Sequence, residues 1–97
     1  MSQIDAMKHN RGRVKVLEIL SPEHPNAVDF VLLRRCLANF GYPVSEHTLQ
    51  SYLVYLEERG CVDITRNKDK QILFAIITAK GLDILDGRIV EQGIDID

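Results

Sequence analysis

The chain has 97 residues and a formal net charge of −2, with 45% hydrophobic and 27% charged residues. This length fits one domain, here expected to span residues 1–97, and the composition excludes a disordered chain. No apolar run approaches the roughly 18 residues of a membrane helix, and the N-terminus does not read as a signal peptide. Two cysteines without metal-ligand spacing indicate a reduced, cytoplasmic protein.

The first predicted element is a helix that begins after Ile4 and ends before the sequence Ser-Pro-Glu-His-Pro, whose prolines interrupt it. Its apolar residues at helical spacing are Val16, Leu17 and Leu20. Gly12 marks either its true start or a frayed turn. Residues 1–12 are therefore expected to be extended or partly ordered.

The second predicted helix begins after Asn26, a favourable N-cap, and has Asp29 in its first turn. It buries Phe30, Leu33 and Leu37 and stops near Asn39. Gly41 supplies the left-handed residue that ends a helix, and Pro43 prevents its continuation.

The third predicted helix is capped by Ser45, and Glu46 lies favourably at its positive end. Its apolar residues are Leu49, Leu53 and Leu56, and Gly60 ends it. Two β-branched, apolar segments follow, Cys61 to Arg66 and Gln71 to Thr78, joined by a polar tetrapeptide. This pattern predicts a β-hairpin.

Thr78 is expected to cap a fourth helix that runs to about Leu85 with Leu82 and Leu85 facing inward, before Gly87 breaks it. Residues 88–97 are predicted to be extended or partly ordered. Of the two cysteines, Cys36 is expected to be buried and Cys61 half-buried.

The order of these elements is that of an α+β winged helix-turn-helix. It has a three-helix core, a two-stranded β-hairpin wing and a C-terminal helix. The connection between the second and third helices is short, as a helix-turn-helix requires, and the hairpin follows the third helix directly.

Two segments resemble winged-helix regulators of the ArsR and MarR types. The run Val44–Val62 (VSEHTLQSYLVYLEERGCV) is similar to their recognition helix and wing entry, and Ile77–Leu82 (ITAKGL) to their Leu-Thr-x-x-Gly signature. The chain departs from metal-sensing ArsR proteins because its third helix has no paired cysteines. It has Gln50, Ser51 and Val54 where DNA-binding relatives often carry Arg or Lys.

The sequence also resembles small winged-helix proteins of Mu-like phages and prophages. The similarity rests on Asn26-Ala27, the run Val44–Val62 and the segment Gly87-Arg88-x-Val90-x-x-Gly93-Ile94. It implies the fold over most of the chain and a phage or prophage gene in a bacterial host, but no particular biochemical role.

In a helix-turn-helix, the exposed N-terminal positions of the third helix reach base edges in the major groove. Glutamine pairs with adenine, glutamate accepts from cytosine, and valine contacts the thymine methyl group. The alternative is an ordinary solvated helix face. The candidate base contacts are Glu46, His47, Gln50, Ser51 and Val54.

Cations at the tip of the wing meet phosphates without reading sequence, although a charged tip is also the ordinary solvated end of a hairpin. The wing candidates are Arg66, Lys68 and Lys70. Weaker candidates are Arg34 and Arg35 on the second helix, and weaker still are Arg11, Arg13 and Lys15 on the first.

An enzyme is not expected, because the histidines His9, His24 and His47 are scattered and no glycine-rich phosphate loop exists. No cofactor or metal is implied. The sequence predicts a transcriptional regulator or DNA-associated accessory protein that binds double-stranded DNA. The alternative is a winged-helix module that binds another protein of a phage complex.

The C-terminal region contains more apolar residues than a short helix and tail need for their own packing. These residues are Ile84, Ile89, Val90, Ile94 and Ile96. Two alternatives follow from this excess. The residues are expected either to form the contact with a second copy in a homodimer or to pack over the thin core of their own chain.

Overall fold

A computed structural model describes residues 2–96. The elements in chain order are α1 (Gln3–Leu20), β1 (Val28–Asp29), α2 (Phe30–Asn39), α3 (Glu46–Glu58), β2 (Val62–Arg66), β3 (Ile72–Ile77) and α4 (Ala79–Leu85). The three strands form one antiparallel sheet in the order β1-β3-β2. The α+β winged helix-turn-helix is therefore confirmed, and β1 adds a third strand to the predicted two-stranded hairpin.

The core lies where α1, α2 and α3 pack against one another and against the inner face of the sheet. Its fully buried side chains include Leu17, Leu20, Leu33, Leu37, Leu49, Leu53, Leu56, Ile77 and Ile84. Throughout residues 2–96, every buried side chain of this core is apolar. Leu82 and Leu85, predicted to face inward on α4, are partly buried and pack against the core, and Ile84 of the same helix is fully buried.

Helix α1 begins earlier than predicted. Ser2 caps it by accepting a hydrogen bond from the Asp5 amide, so residues 3–12 are helical rather than extended. Gly12 lies inside this helix and is buried against the ring of Tyr52, where an added Cβ would lie 2.7 Å from Cε2. The glycine permits the close packing of α1 on α3, a role that local propensity does not reveal.

Helix α2 begins later than predicted. Asp29, not Asn26, is its N-cap and accepts a hydrogen bond of 2.9 Å from the Leu32 amide. Val28, placed by the prediction in the helix, is buried and pairs with Ala75 in the sheet. Its strand partner is distant in sequence, so the local pattern could not identify β1.

The predicted capping of the last two helices is confirmed. Ser45 Oγ accepts from the Thr48 amide at 3.1 Å, and Thr78 Oγ1 accepts from the Gly81 amide at 3.2 Å. The hairpin is also confirmed, and Asn67 organises its turn by accepting from the amides of two residues that follow it.

The segment after α4 folds back over α1 and α3 rather than extending. Ile94 is buried and forms an isolated bridge with Glu91. The Tyr55 hydroxyl donates to the Gln92 carbonyl, and Arg13 Nη1 donates to the Gly93 carbonyl. The predictions for residues 1 and 97 lie outside the described part of the chain.

The cysteines differ from their predicted burial. Cys36 is half-buried, because the α2 face that carries it borders an open groove, whereas Cys61 is fully buried at the entry to β2. Burial raises the pKa of the Cys61 thiol.

Candidate nucleic-acid interface

A short turn joins α2 to α3 and fixes their mutual orientation. The amide of Tyr42 donates to the Leu37 carbonyl at 2.8 Å, closing the end of α2. Arg34 Nε donates to the Val44 carbonyl, also at 2.8 Å. Arg34, a weak candidate for phosphate contact, thus supports the turn with one of its nitrogens, and both Arg34 and Arg35 are exposed.

The outward face of α3 brings together all five residues predicted to contact bases. Four of them, Glu46, His47, Ser51 and Val54, are exposed, and Gln50 is half-buried. With Tyr55 and Glu58, most of this set lines a shallow, open depression of about 380 Å³. The opposite face of the helix is buried, which holds the outward face in one orientation.

The predicted cations of the wing divide into two kinds. Lys68 and Lys70 are exposed in the hairpin turn and take part in none of the ion pairs found among residues 2–96. Arg66 instead forms two hydrogen bonds with the carboxylate of Glu57 on α3, each 2.8 Å long. Its charge is therefore already paired.

The ion pair lowers the pKa of the Glu57 carboxyl, mainly through the hydrogen bonds from Arg66. Because this pKa is lower in the folded state than in the unfolded state, the ion pair contributes fully to stability at pH values above the ordinary glutamate pKa. That contribution is lost as the pH falls through the lowered value.

Three of the four Lys and Arg residues of α1 make contacts within the fold, whereas Lys8 is exposed. Lys15 pairs with Glu18 at 2.9 Å, and Arg11 Nε donates to the Tyr42 hydroxyl at 3.1 Å. Arg13 is half-buried and contacts the C-terminal segment. This placement disfavours the weakest predicted group of phosphate contacts.

The sequence analysis did not identify a pair of cation–π contacts at Tyr55, beside the outward face of α3. The guanidinium carbons of Arg13 and Arg59 lie 3.9 and 3.4 Å from the ring centroid of Tyr55. Cation–π contacts of this kind are worth about 0.5–2 kcal/mol each, depending on desolvation. The four-residue spacing between Tyr55 on α3 and Arg59 at its C-cap was the available signal, since residues four apart on a helix are neighbours.

The described residues contain no cluster of three His, Cys, Asp or Glu side chains able to hold a metal ion. His9 Nδ1 lies 2.7 Å from the hydroxyl of Tyr52, whose pKa is raised by burial. This histidine thus joins α1 to α3.

Within residues 2–96, no helix is both long and apolar enough to cross a membrane.

A second surface feature lies between α1 and α2. An apolar groove of about 430 Å³ is lined by Ile19, Val28, Leu32, Cys36 and Phe40, among others. Leu32 and Phe40 are 54% and 61% exposed, more than large apolar side chains usually are. The groove is separate from the outward face of α3.

No family model matches the sequence, and no curated protein matches it. Among solved structures, the chain is similar to the crystal structure of a PadR family transcriptional regulator from Eggerthella lenta DSM 2243. The TM-score is 0.57 and the identity 25%, over 80% of this chain and 70% of that one. This likeness shows the winged helix-turn-helix fold in general rather than a particular relation to ArsR, MarR or phage proteins.

Proposed function

We propose that this protein is a DNA-binding transcriptional regulator in which α3 enters the major groove and the wing lies along the backbone. The main observation in favour of this function is the outward face of α3, which presents exposed polar residues to solvent. The turn of the neighbouring hairpin carries the exposed Lys68 and Lys70. The fold it shares with a PadR family transcriptional regulator supports the proposal.

The residues on this face suit direct reading of bases. Gln50 forms paired hydrogen bonds with adenine, Glu46 accepts from the amino group of cytosine, and Val54 packs on a thymine methyl group. None of the five carries a fixed positive charge. Sequence-independent attraction therefore comes from elsewhere, and nonspecific binding is expected to be weak at physiological salt.

The first test addresses the wing lysines. We expect the variant K68A/K70A to bind all DNA sequences more weakly, because phosphates carry no sequence information. The slope of log affinity against log salt should flatten by about 1.8 per protomer, from two contacts of about 0.9 each. Fluorescence anisotropy with a labelled duplex over a range of salt concentrations measures both effects.

The control for this test is K8A/R88A, which removes two exposed cations away from the hairpin and changes the net charge equally. Its slope should match the wild type. A wild-type slope in K68A/K70A would show that the wing does not contact the backbone.

The second test addresses base reading by Gln50. After a preferred site has been selected from random duplexes, Gln50→Ala is expected to cost about 1–3 kcal/mol at that site. It should leave nonspecific affinity and the salt slope unchanged, since no phosphate contact is lost. Gln3→Ala makes the same truncation on an exposed turn of α1 and serves as the control. Equal loss on all sequences would contradict base reading by Gln50.

The second candidate function is a protein-interaction module. The apolar groove between α1 and α2 favours it, as does the lack of Arg or Lys on the outward face of α3. A wild-type protein that fails to shift random DNA even at low salt would support this function over DNA binding.

We also propose that the protein acts as a homodimer, because two half-sites give a winged helix useful affinity. Ile84 and Ile94 of the predicted apolar set pack into the core, whereas Ile89, Val90 and Ile96 are exposed and available to a second copy. A monomer in sedimentation velocity at tens of micromolar would contradict this proposal.

An origin in a phage or prophage, with action in the bacterial cytoplasm, is supported by the sequence resemblance alone.

A further inference from the structure

A side-chain ion pair joins the wing to α3. Arg66, the last residue of β2, donates from Nη1 and Nη2 to the two carboxylate oxygens of Glu57, both at 2.8 Å. Paired hydrogen bonds between guanidinium and carboxylate are stronger and more directional than single ones. Each side chain is 33% exposed, so solvent reaches the pair and screens its charges.

The strand pattern explains why Arg66 meets α3. Side chains alternate along β2, so Arg66 shares a face with Val62, which is buried, and Ile64, which is half-buried. The pairing slips beside it, since Thr65 pairs with Phe74 but Arg66 pairs with Ile72. Such a bulge bends a hairpin and re-aims its side chains.

Glu57 accepts two of the five N–H donors of the Arg66 guanidinium group. Both terminal guanidinium nitrogens of Arg66 donate to it, and its carboxylate offsets the arginine charge. A cation that is already paired releases fewer counterions from DNA. The wing lysines have no such partner among the ion pairs of residues 2–96.

We infer that Glu57 and Arg66 form a clasp that holds the wing against the recognition helix. In this arrangement Arg66 is a positioning residue for DNA binding rather than a phosphate contact. The clasp sets the angle at which the groove-reading face of α3 and the two lysines meet one duplex. This inference rests on the proposed DNA-binding function.

The test compares R66A, E57Q and K68A in salt titrations of DNA binding. K68A should flatten the slope by about 0.9, whereas R66A should leave it unchanged and lower affinity by no more than about 5-fold. E57Q should steepen the slope by up to about 0.9, because it frees an arginine beside the backbone. A merely structural role for Glu57 would not produce this steeper slope.

A second readout does not depend on DNA. Hydrogen exchange of the amides in the hairpin should be faster in R66A and E57Q than in the wild type, and unchanged in K68A. The swapped variant E57R/R66E should restore slow exchange by rebuilding the pair in reverse.

The inference is overturned if R66A flattens the slope as K68A does, or if hairpin exchange is the same in all variants. If the wild type binds no DNA, the proposed function fails. The exchange measurements then still decide whether the clasp exists.

Discussion

Replacing Leu53 with alanine is expected to lower the free energy of unfolding by about 2–5 kcal/mol. Leu53 is fully buried on the inner face of α3, so the truncation leaves a cavity that the neighbouring helices fill only in part. Domains of this size have a total stability of about 5–15 kcal/mol, so the loss is a large share of it. Urea unfolding followed by circular dichroism measures the change.

The matched control is the next residue. Val54 is 36% exposed on the outward face, and Val54→Ala should change stability by no more than about 0.5 kcal/mol. If Val54 contacts a thymine methyl group, the same variant weakens binding at the preferred site. A small effect of Leu53→Ala on unfolding would contradict the described orientation of α3.

Gly81→Ala is expected to destabilise the protein by about 1–3 kcal/mol, although such a change inside a helix usually stabilises by about 0.5–1 kcal/mol. An added Cβ would lie 2.5 Å from the Cys61 carbonyl oxygen and 2.6 Å from Ile77 Cγ1. The backbone cannot easily withdraw, because Thr78 bonds to Gly60 and Cys61 through its hydroxyl and amide. Steric overlap therefore outweighs the gain in helix propensity.

Gly87→Ala provides the comparison for this prediction. Gly87 has a φ of +77° and nothing within 4 Å of an added Cβ, so only backbone strain of about 1–2 kcal/mol is expected. Thermal unfolding of both variants at matched pH measures the difference. An increase in stability on Gly81→Ala would show that α4 does not approach the entry to β2 this closely.

The sequence by itself determined the features that depend on neighbouring residues. Ser45 and Thr78 cap their helices through hydrogen bonds that span three residues. The spacing of Leu49, Leu53 and Leu56 identified the buried face of α3, and hence the outward face with the candidate base contacts. Local chemistry was sufficient because each interaction is completed within one or two helical turns.

Tertiary structure decided the features whose partners lie far apart in the chain. Val28 is a strand residue only because Ala75 pairs with it. Gly12 lies inside α1, where the added Cβ of a larger residue would meet the Tyr52 ring. Arg66 was expected among the phosphate contacts, yet Glu57 binds it once β2 folds against α3. A single sequence does not indicate which distant groups will meet, because that choice is made when the whole core packs.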